Sequence, residues 1–400
     1  MNKHEPVVSR RHASVLEARR LCKIASSPHA YVRGTTERFY DLIGRMPPDR
    51  IPEGPPVWIC GDCHLGNLGA VANEDGRIDI QIRDLDQTVI ANPAFDLVRL
   101  ALSLVTAAQG ATLPGIVVAR MMDAMANGYA DGVEVPAASA ENEQVSEIVA
   151  TTRRRALGRR WRHLSQERLK GKDEHLPRGK RFFELETPER DGIDALVRDP
   201  GLRTLVLALD GDARVTARDA AYWIKGCSSL GRLRYAVLLE AASGGRPFQA
   251  LIYVKEAVPH LAPAAPGLRM PGDHAERVVA GARALSPNLG ERMIAGQVDG
   301  TSVTVRELFP QDLKIDVDQF SGVEAVRIAD HLAGIVGRAH GRQMDKAQRN
   351  DWIGRLRAGA AQGDAPGWLW SVVTDLMTDQ QRGYLDHCRL IARDDAGFVS

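Results

Sequence analysis

Residues 61–67 read Gly61-Asp62-Cys63-His64-Leu65-Gly66-Asn67 and follow a short apolar stretch that predicts a β-strand. Gly61 permits a close approach of the backbone after this strand. The carboxylate of Asp62 can accept or orient the proton of an attacking hydroxyl, and the amide oxygen of Asn67 can bind a hard cation. The loop therefore predicts a catalytic function for Asp62 and a magnesium-binding function for Asn67.

A second acidic segment, Arg83-Asp84-Leu85-Asp86, follows this loop after a predicted hairpin whose turn is Asn73-Glu74-Asp75-Gly76. The hairpin brings Asp84 beside the first loop, as Mg²⁺ binding by one carboxylate and one amide requires. Asp86 either adds a metal ligand or caps the following turn. Taken singly, each of these Asp and Asn residues is also typical of an ordinary turn or cap.

The composition is that of a globular protein. The chain has 400 residues, 44% of them hydrophobic, which is enough for two or three domain-sized units. Its 52 Lys and Arg balance 51 Asp and Glu, so the bulk charge indicates no polyanionic partner. The five scattered cysteines favour reduced thiols over a disulfide framework. No apolar run reaches the roughly 18 residues of a membrane span, and we expect a cytoplasmic protein without a membrane partner.

The predicted elements change character along the chain. Residues 11–46 predict helices with a short extended stretch at 27–34, and the segment up to about 195 continues as a helical lobe with a small β element. Residues 196–310 predict mostly strands with one helix at 274–285. Residues 311–400 predict helices again. We therefore expect a first helical part, a β lobe and a return to the helical lobe.

A basic segment, residues 153–181, contains twelve Lys or Arg and three acidic residues. Such a run binds nucleic acid or an acidic substrate in some proteins, but it is more often a solvated helical face. We therefore regard a nucleic-acid partner as unlikely. Arg33, near the start of the chain, is a further candidate for facing a substrate.

The acidic loops resemble the catalytic core of protein-kinase-like enzymes of the aminoglycoside phosphotransferase and choline kinase type. The resemblance includes the segment Asn92-Pro93-Ala94-Phe95-Asp96. It implies that Asp62 is the catalytic base or hydroxyl orienter, and that Asn67 and Asp84 are magnesium ligands. It also implies that Asp96 supports the loop and that His64 is a catalytic-loop histidine, although a structural histidine fits equally. The sequence departs from that pattern at Cys60, where the relatives usually carry histidine.

The nucleotide lobe that this resemblance implies has its counterpart downstream. Residues 226–231 form a Gly/Ser loop between two predicted strands, and Gly226, Ser228, Ser229 and Gly231 are its candidate phosphate-binding residues. Lys255 lies on an apolar strand where a kinase keeps its phosphate-binding lysine. A Gly/Ser hairpin alone is weak evidence, and the lysine strengthens it.

Three further residues complete this expected nucleotide site. Glu276 either pairs with Lys255, as the glutamate of the kinase αC helix does, or forms a capping box with Asp273. Glu307 and Leu308 end a strand at the expected kinase hinge, where backbone groups would contact adenine.

The order of these features resembles a circularly permuted kinase, because the catalytic loop precedes the nucleotide-binding lobe. The chain also resembles, over nearly its whole length, the bacterial family called domain of unknown function 2252. The sequence segments that carry this resemblance are residues 27–34, 60–67, 84–86, 96–100, 225–231, 254–257 and Arg338-Ala339-His340. The fold that we expect is an α+β, protein-kinase-like fold of two lobes.

The resemblance implies an ATP- and Mg²⁺-dependent phosphotransferase that acts on an unidentified hydroxyl of a small molecule or a protein. Three alternatives stay open. They are a nucleotide-binding pseudokinase, a protein adenylyltransferase on the same scaffold, and a nucleic-acid-binding protein that uses the basic segment. The acceptor and the oligomeric state are not determined by the sequence.

Overall fold

The computed structural model describes residues 10–73, 75–136, 147–169, 175–203, 214–226, 230–243, 246–315, 322–358 and 367–397. Within these residues the fold is mixed α+β, and the strands form antiparallel sheets. No helix in the described ranges has both the length and the apolar character needed to span a membrane.

Three helices begin the described chain: α1 (Arg10–Ala25), α2 (Pro28–Gly34) and α3 (Thr36–Ile43). The prediction of an extended stretch at residues 27–34 was wrong. The Ser27 side chain caps α2 by accepting from the Ala30 N–H at 3.0 Å, and Pro28 occupies the first turn. This Ser-Pro pair is a helix-start signal because a hydroxyl satisfies a free N–H and proline needs none.

A small β element carries the acidic loops. Strand β1 (Val57–Ile59) pairs with β4 (Val89–Ala91), and the predicted hairpin is formed by β2 (Leu68–Ala72) and β3 (Ile78–Ile82). A late strand, β11 (Leu313–Lys314), pairs with β2.

One helical core contains helices from the first and the last part of the described chain. It contains α4 (Ala94–Gly110), α5 (Gly115–Glu134), α11 (Gly322–Gly341), α12 (Lys346–Ala358) and α13 (Trp368–Gly397). Helices α5 and α11 approach closely because Gly337 has no side chain: a Cβ there would lie 2.2 Å from the carbonyl oxygen of Tyr129. Helices from before and after the β-rich region therefore share this core.

The largest sheet is antiparallel and has the order β5-β6-β7-β8-β10-β9. Its strands are β5 (Phe182–Phe183), β6 (Arg214–Trp223), β7 (Arg234–Ser243), β8 (Arg246–Glu256), β9 (Met293–Val298) and β10 (Thr301–Glu307). Helices α8 (Thr187–Val197) and α9 (His274–Leu285) pack on the sheet, and the short α10 (Pro287–Gly290) packs against α9 and β2. Both β5 and α8 precede residue 196, so the sheet unit begins upstream of the boundary expected from the sequence.

The basic segment is divided between packing and surface positions. It includes the end of α6 (Glu147–Leu157) and all of α7 (Trp161–Arg168). Arg178 is paired with Asp219 at 2.7 Å, and Arg159 with Glu167 at 2.8 Å. Arg168 lies over the ring of Trp223. Several of its arginines therefore have structural partners within the protein.

Candidate functional site

The Asp62 loop, residues 60–67, begins where β1 ends. Gly61 has a φ of +74°, and a Cβ there would lie 2.1 Å from the carbonyl oxygen of Gln87. Only glycine adopts this conformation at no steric cost, so Gly61 lets the chain turn against the following loop. The Tyr40 hydroxyl donates to the Gly61 carbonyl at 2.7 Å, which fixes the turn from the other side.

A buried carboxylate supports this loop from below. Asp96, at the start of α4, accepts from the backbone N–H groups of Cys60 at 2.6 Å and Gly61 at 2.9 Å. The Nε2 of His340 donates to the same carboxylate at 3.2 Å, and its Nδ1 then accepts from the Tyr129 hydroxyl at 2.9 Å. Buried charge-assisted bonds of this kind hold a backbone in one conformation.

Arg99 holds the carboxylate of Asp62. Its Nε and Nη2 each lie 2.9 Å from Oδ1 of Asp62, and the arginine side chain is fully buried. Nη2 also donates to the Val32 carbonyl at 2.7 Å. Burial raises the pKa of Asp62, while Arg99 opposes that rise. The Thr36 side chain is a further hydrogen-bond partner of this carboxylate and also opposes the rise in its pKa.

Asn67 and His64 flank Asp62. The Nδ2 of Asn67 donates to the backbone carbonyl of Asp62 at 2.9 Å, which leaves its amide oxygen for another partner. His64 Nε2 lies 3.9 Å from Oδ2 of Asp62. Burial lowers the pKa of His64 well below its usual value, with a further contribution from Arg33. His64 is therefore a neutral imidazole near neutral pH.

Lys255 joins the sheet to the second acidic segment. Its Nζ lies 3.0 Å from Oδ1 of Asp84 and also contacts Asp86. Desolvation raises the pKa of Asp84, but Lys255, Arg234 and Arg306 together lower it by more, so the net shift is downward. Burial and the neighbouring Asp84 raise the pKa of Asp86. The lysine on β8 therefore keeps at least one of these two carboxylates ionised.

The donor set fits Mg²⁺. The Asp84 side chain is 48% exposed to the cavity, and the amide oxygen of Asn67 is not used by the hydrogen bond to Asp62. Among the described residues, no group of three or more His, Cys, Asp or Glu is arranged around a metal position. Mg²⁺ usually takes one or two protein carboxylates and completes its shell with water and phosphate oxygens, so Asn67 and Asp84 suffice as its protein ligands.

Two cavities meet at this acidic centre. The inner cavity, of about 500 Å³, lies beneath the sheet and includes Gly226, Tyr253 and Arg306 in its wall. The outer cavity, of about 350 Å³, lies between α1, α2 and the long α13, with Tyr31 and His387 in its wall. Asp62, Asn67, Asp84, Asp86 and Lys255 line both. These volumes fall in the range of small-molecule sites.

The structure gathers most of the predicted site residues into one place. The predicted site residues that line the inner cavity are Asp62, His64, Asn67, Asp84, Asp86, Gly226 and Lys255. The substrate candidate Arg33 also lines it. Gly231 lies near this group with a φ of +92° but outside the cavity lining. Ser228 and Ser229 lie outside the described residues.

Besides Gly231, the predicted nucleotide-binding residues Glu276, Glu307 and Leu308 also line neither cavity. Glu276 is exposed at the start of α9, and Lys255 is paired with Asp84 and Asp86 instead. Asp273 does cap α9, since its Oδ1 accepts from the Ala275 and Glu276 N–H groups. The Glu276–Lys255 pair is therefore a correction, because the capping alternative fixes the glutamate at the helix surface.

The predicted hinge residues are also corrected. The N–H of Leu308 donates to the Leu251 carbonyl at 2.8 Å, because β10 stays paired with β8 to its end. The carbonyl of Glu307 is approached by Arg292 at 3.4 Å, and burial raises the pKa of the Glu307 carboxyl to about 8. Neither residue lines a cavity next to the acidic centre.

Several important side chains were not singled out from the sequence. Arg99 interrupts an otherwise apolar helix, and a lone arginine in such a helix is a detectable signal of a buried charge partner. Lys225, Arg234 and Arg306 stand on or beside three different strands and line the same cavity. No sequence spacing brings these three together, since their proximity depends on strand pairing.

Cys60 occupies the position where the resembling kinases usually carry histidine. Its N–H is held by Asp96, and its Sγ lies 3.4 Å from the Asp84 carbonyl, so the residue connects the two acidic segments. Cys60 and Cys63 are free and buried. Cys60 therefore contributes to packing and links the Asp62 loop to the second acidic segment.

Comparisons with known proteins give one match. The model of a family described as uncharacterized protein conserved in bacteria (DUF2252) matches residues 13–390. No curated protein and no solved structure matches the chain. The matched range contains the Asp62 loop, Lys255 and His340, so the candidate site lies within the shared sequence. The chain belongs to the DUF2252 family of uncharacterized bacterial proteins.

Proposed function

We propose that this protein is an ATP- and Mg²⁺-dependent transferase that moves a phosphorus-containing group from the nucleotide to a hydroxyl. The observation that carries the proposal is the meeting of Asp62, Asn67, Asp84 and Lys255 at one cavity, although Lys255 comes from a different lobe. A site that combines a carboxylate base, oxygen ligands for a cation and a buried lysine suits transfer between phosphate and hydroxyl oxygens.

The arrangement of the sheet supports a kinase-like orientation of these parts. A glycine-bearing loop joins β6 to β7, the first two long strands, and Lys255 lies on β8, the third. Kinases carry a glycine-rich loop over the phosphates and their phosphate-binding lysine on the third strand. The helix α9 follows the lysine strand, as αC does, although its first-turn glutamate does not reach the lysine.

Each side chain has a separate task in this proposal. Asp62 orients the acceptor hydroxyl and takes its proton, while Arg99 and the Asp96 contacts keep the loop in position. Asn67 and Asp84 would hold Mg²⁺, which would neutralise charge on the phosphates. Lys255 would exchange part of its contact with Asp84 and Asp86 for a phosphate oxygen.

Three variants test this function in the full-length protein. ATP with Mg²⁺ should raise the unfolding temperature of the wild type, and Asp84→Asn should lose the magnesium-dependent part of that shift. Asp62→Asn should keep ATP binding and lower ATP turnover by about 10²- to 10⁴-fold. Glu276→Gln, which changes an exposed carboxylate on α9, is the matched control and should behave as the wild type.

The ligand-free unfolding temperature of each variant separates loss of fold from loss of chemistry. Asp62→Asn requires this check because it leaves Arg99 buried without its charged partner. Turnover at the wild-type rate in folded Asp62→Asn and Asp84→Asn would contradict the proposal.

Nucleotidyl transfer is a second candidate within this proposal. Terminal phosphoryl transfer is what the kinase resemblance implies. The basic side chains beneath the sheet favour nucleotidyl transfer, in which the acceptor hydroxyl attacks the α-phosphorus.

A further inference from the structure

The two cavities differ in charge. Eight Lys or Arg side chains and three Asp side chains line the inner cavity. Four Lys or Arg and four Asp or Glu line the outer cavity. A nucleoside is neutral, whereas a triphosphate tail carries several negative charges. The electrostatic field therefore favours the tail in the inner cavity and the nucleoside in the outer one.

Three basic side chains of the inner cavity gather around one aromatic ring. Arg234, Arg306 and Lys225 lie 5.4, 5.7 and 5.9 Å from the ring centroid of Tyr253. We call these three residues the cationic wall. Strand register explains the cluster, because Arg234 pairs with Lys255 and Arg306 pairs with Tyr253, two positions before Lys255 on the same face of β8.

Two arginines of the inner cavity carry buried hydrogen-bond donors without partners. In the described part of the chain, Nη1 of Arg306 and Nη1 of Arg83 are buried and have no hydrogen-bond partner. Both residues line the inner cavity. Orphaned buried donors are rare and costly, so the positive charge beside this cavity is incompletely compensated within the protein.

If the nucleotide were bound as in kinases, its base would lie beside the predicted hinge, where the surroundings are unfavourable. Arg306 directly precedes the predicted hinge, so a neutral base there would lie against the cationic wall. The Leu308 N–H that would recognise it is already bonded to Leu251. Removing guanidinium groups from water without a counter-charge is unfavourable, and a neutral base supplies no counter-charge.

We infer that the nucleotide binds with its β- and γ-phosphates against the cationic wall and its nucleoside toward the outer cavity, which brings the α-phosphorus to Asp62 and makes the protein a nucleotidyltransferase. This inference rests on the proposed function. It identifies the scissile bond and reverses the nucleotide relative to the kinase resemblance.

The step balances without a further reactant. The acceptor hydroxyl oxygen attacks the α-phosphorus and forms the new O–P bond. The bond between the α-phosphorus and the oxygen that bridges to the β-phosphate breaks, and pyrophosphate leaves with its electron pair. Asp62 takes the hydroxyl proton and returns it to solvent.

Binding of inorganic tripolyphosphate and of AMP, measured by calorimetry with Mg²⁺ present, tests the orientation without an acceptor. Arg306→Gln and Lys225→Gln should each weaken tripolyphosphate binding by about tenfold or more. Their AMP affinity should stay within about twofold, because AMP lacks the phosphates that meet the wall. Arg218→Gln is the matched control: this arginine lies on the same sheet, pairs with Glu240 at 2.7 Å and lines neither cavity.

Undiminished tripolyphosphate binding by both folded wall variants would overturn the inference. ATP labelled at the α- or γ-phosphate provides the second readout. We expect release of pyrophosphate, with the α-label on AMP, on an added hydroxyl compound or on the protein itself. Production of ADP with γ-label transfer would overturn the inference and leave the proposed function standing. Failure of the wild type to bind ATP would overturn both.

Discussion

The Asp62 loop and the cationic wall both line the inner cavity, and their charged groups have different surroundings. In the loop, each buried charge meets an opposite charge or backbone groups: Asp62 meets Arg99, and Asp96 meets His340 and two N–H groups. In the wall, three basic side chains lie around Tyr253; Arg234 donates to the Lys225 carbonyl at 2.6 Å, and Arg234 and Arg306 lower the pKa of Asp84. The loop thus pairs its buried charges closely, whereas the wall concentrates basic groups, which suits the anion that we propose.

The difference has a general physical basis. Buried pairs lose stability when one partner is removed, because the other is left desolvated. A cluster of like charges loses little or gains stability when one member is removed, because repulsion falls. Functional sites often retain such unfavourable clusters, since their ligand reverses the penalty.

The largest effect is expected from Arg99→Met. Removal of this fully buried guanidinium leaves the Asp62 carboxylate without its cation and should lower the free energy of unfolding by about 3–5 kcal/mol. Adding Asp62→Asn should recover part of the loss, since the charge is then absent. Urea denaturation of the single and double variants measures both.

A surface pair provides the control for Arg99→Met. Arg355 and Asp351 form an exposed ion pair at 3.0 Å, and Arg355→Met should cost less than about 1 kcal/mol. Equal losses at the two sites would remove the contrast between buried loop charges and the remaining charges.

An intermediate effect is expected from Lys225→Met on the pH dependence of stability. Burial lowers the pKa of Lys225 to about 6, aided by the neighbouring cations Arg168, Arg306, Arg234 and Lys314. An unfolded lysine titrates near 10.4. Between these values the unfolded chain binds a proton that the folded chain lacks, so this residue makes stability rise with pH.

Lys225→Met should remove that contribution, which flattens the rise of stability with pH and raises the free energy of unfolding at pH 7. Urea denaturation at pH 6.5 and 9 measures the slope, and exposed Lys346→Met is the control. A variant that is less stable than the wild type at pH 7 would show that the wall supports the fold.

The smallest effect is a proton taken up with the anion. Because Lys225 has a pKa of about 6, it is mostly neutral at pH 7.5, and a bound polyphosphate raises its pKa by favouring the charged form. Tripolyphosphate binding should therefore take up as much as about one proton. Calorimetry in two buffers of different ionisation enthalpy measures the uptake, which Lys225→Met should abolish. Equal uptake by the wild type and the variant would locate the proton elsewhere.

Local sequence signals predicted much of the fold. The hairpin around residues 73–76 and helix α9 follow the expected bounds, because turn residues, a capping Asp273 and apolar periodicity act within a few residues. The stretch at 27–34, predicted as extended, is helical because Ser27 caps α2 and Pro28 occupies its first turn. Loop chemistry and the kinase resemblance also identified the candidate residues Asp62, Asn67, Asp84 and Lys255 from the sequence.

The remaining side-chain partners could not be predicted, because they depend on which groups lie close together in the folded protein. Glu276 and Lys255 follow each other in the order expected of a kinase, yet the lysine meets Asp84 and Asp86. Leu308 ends the expected strand, yet its N–H remains in the sheet. In both cases the competing partner lies far away or on another strand, and spacing along one chain does not encode which partner is nearer.

The sequence by itself determined the acidic loops, the lysine strand and the membership of the bacterial family, because these reside in short contiguous words. Only the tertiary structure decided that Arg99 pairs with Asp62 and that Lys225, Arg234 and Arg306 surround Tyr253. The reason is physical: capping and turn preferences act between neighbouring residues, whereas the balance of charge in a cavity is a sum over side chains that strand register and helix packing bring together.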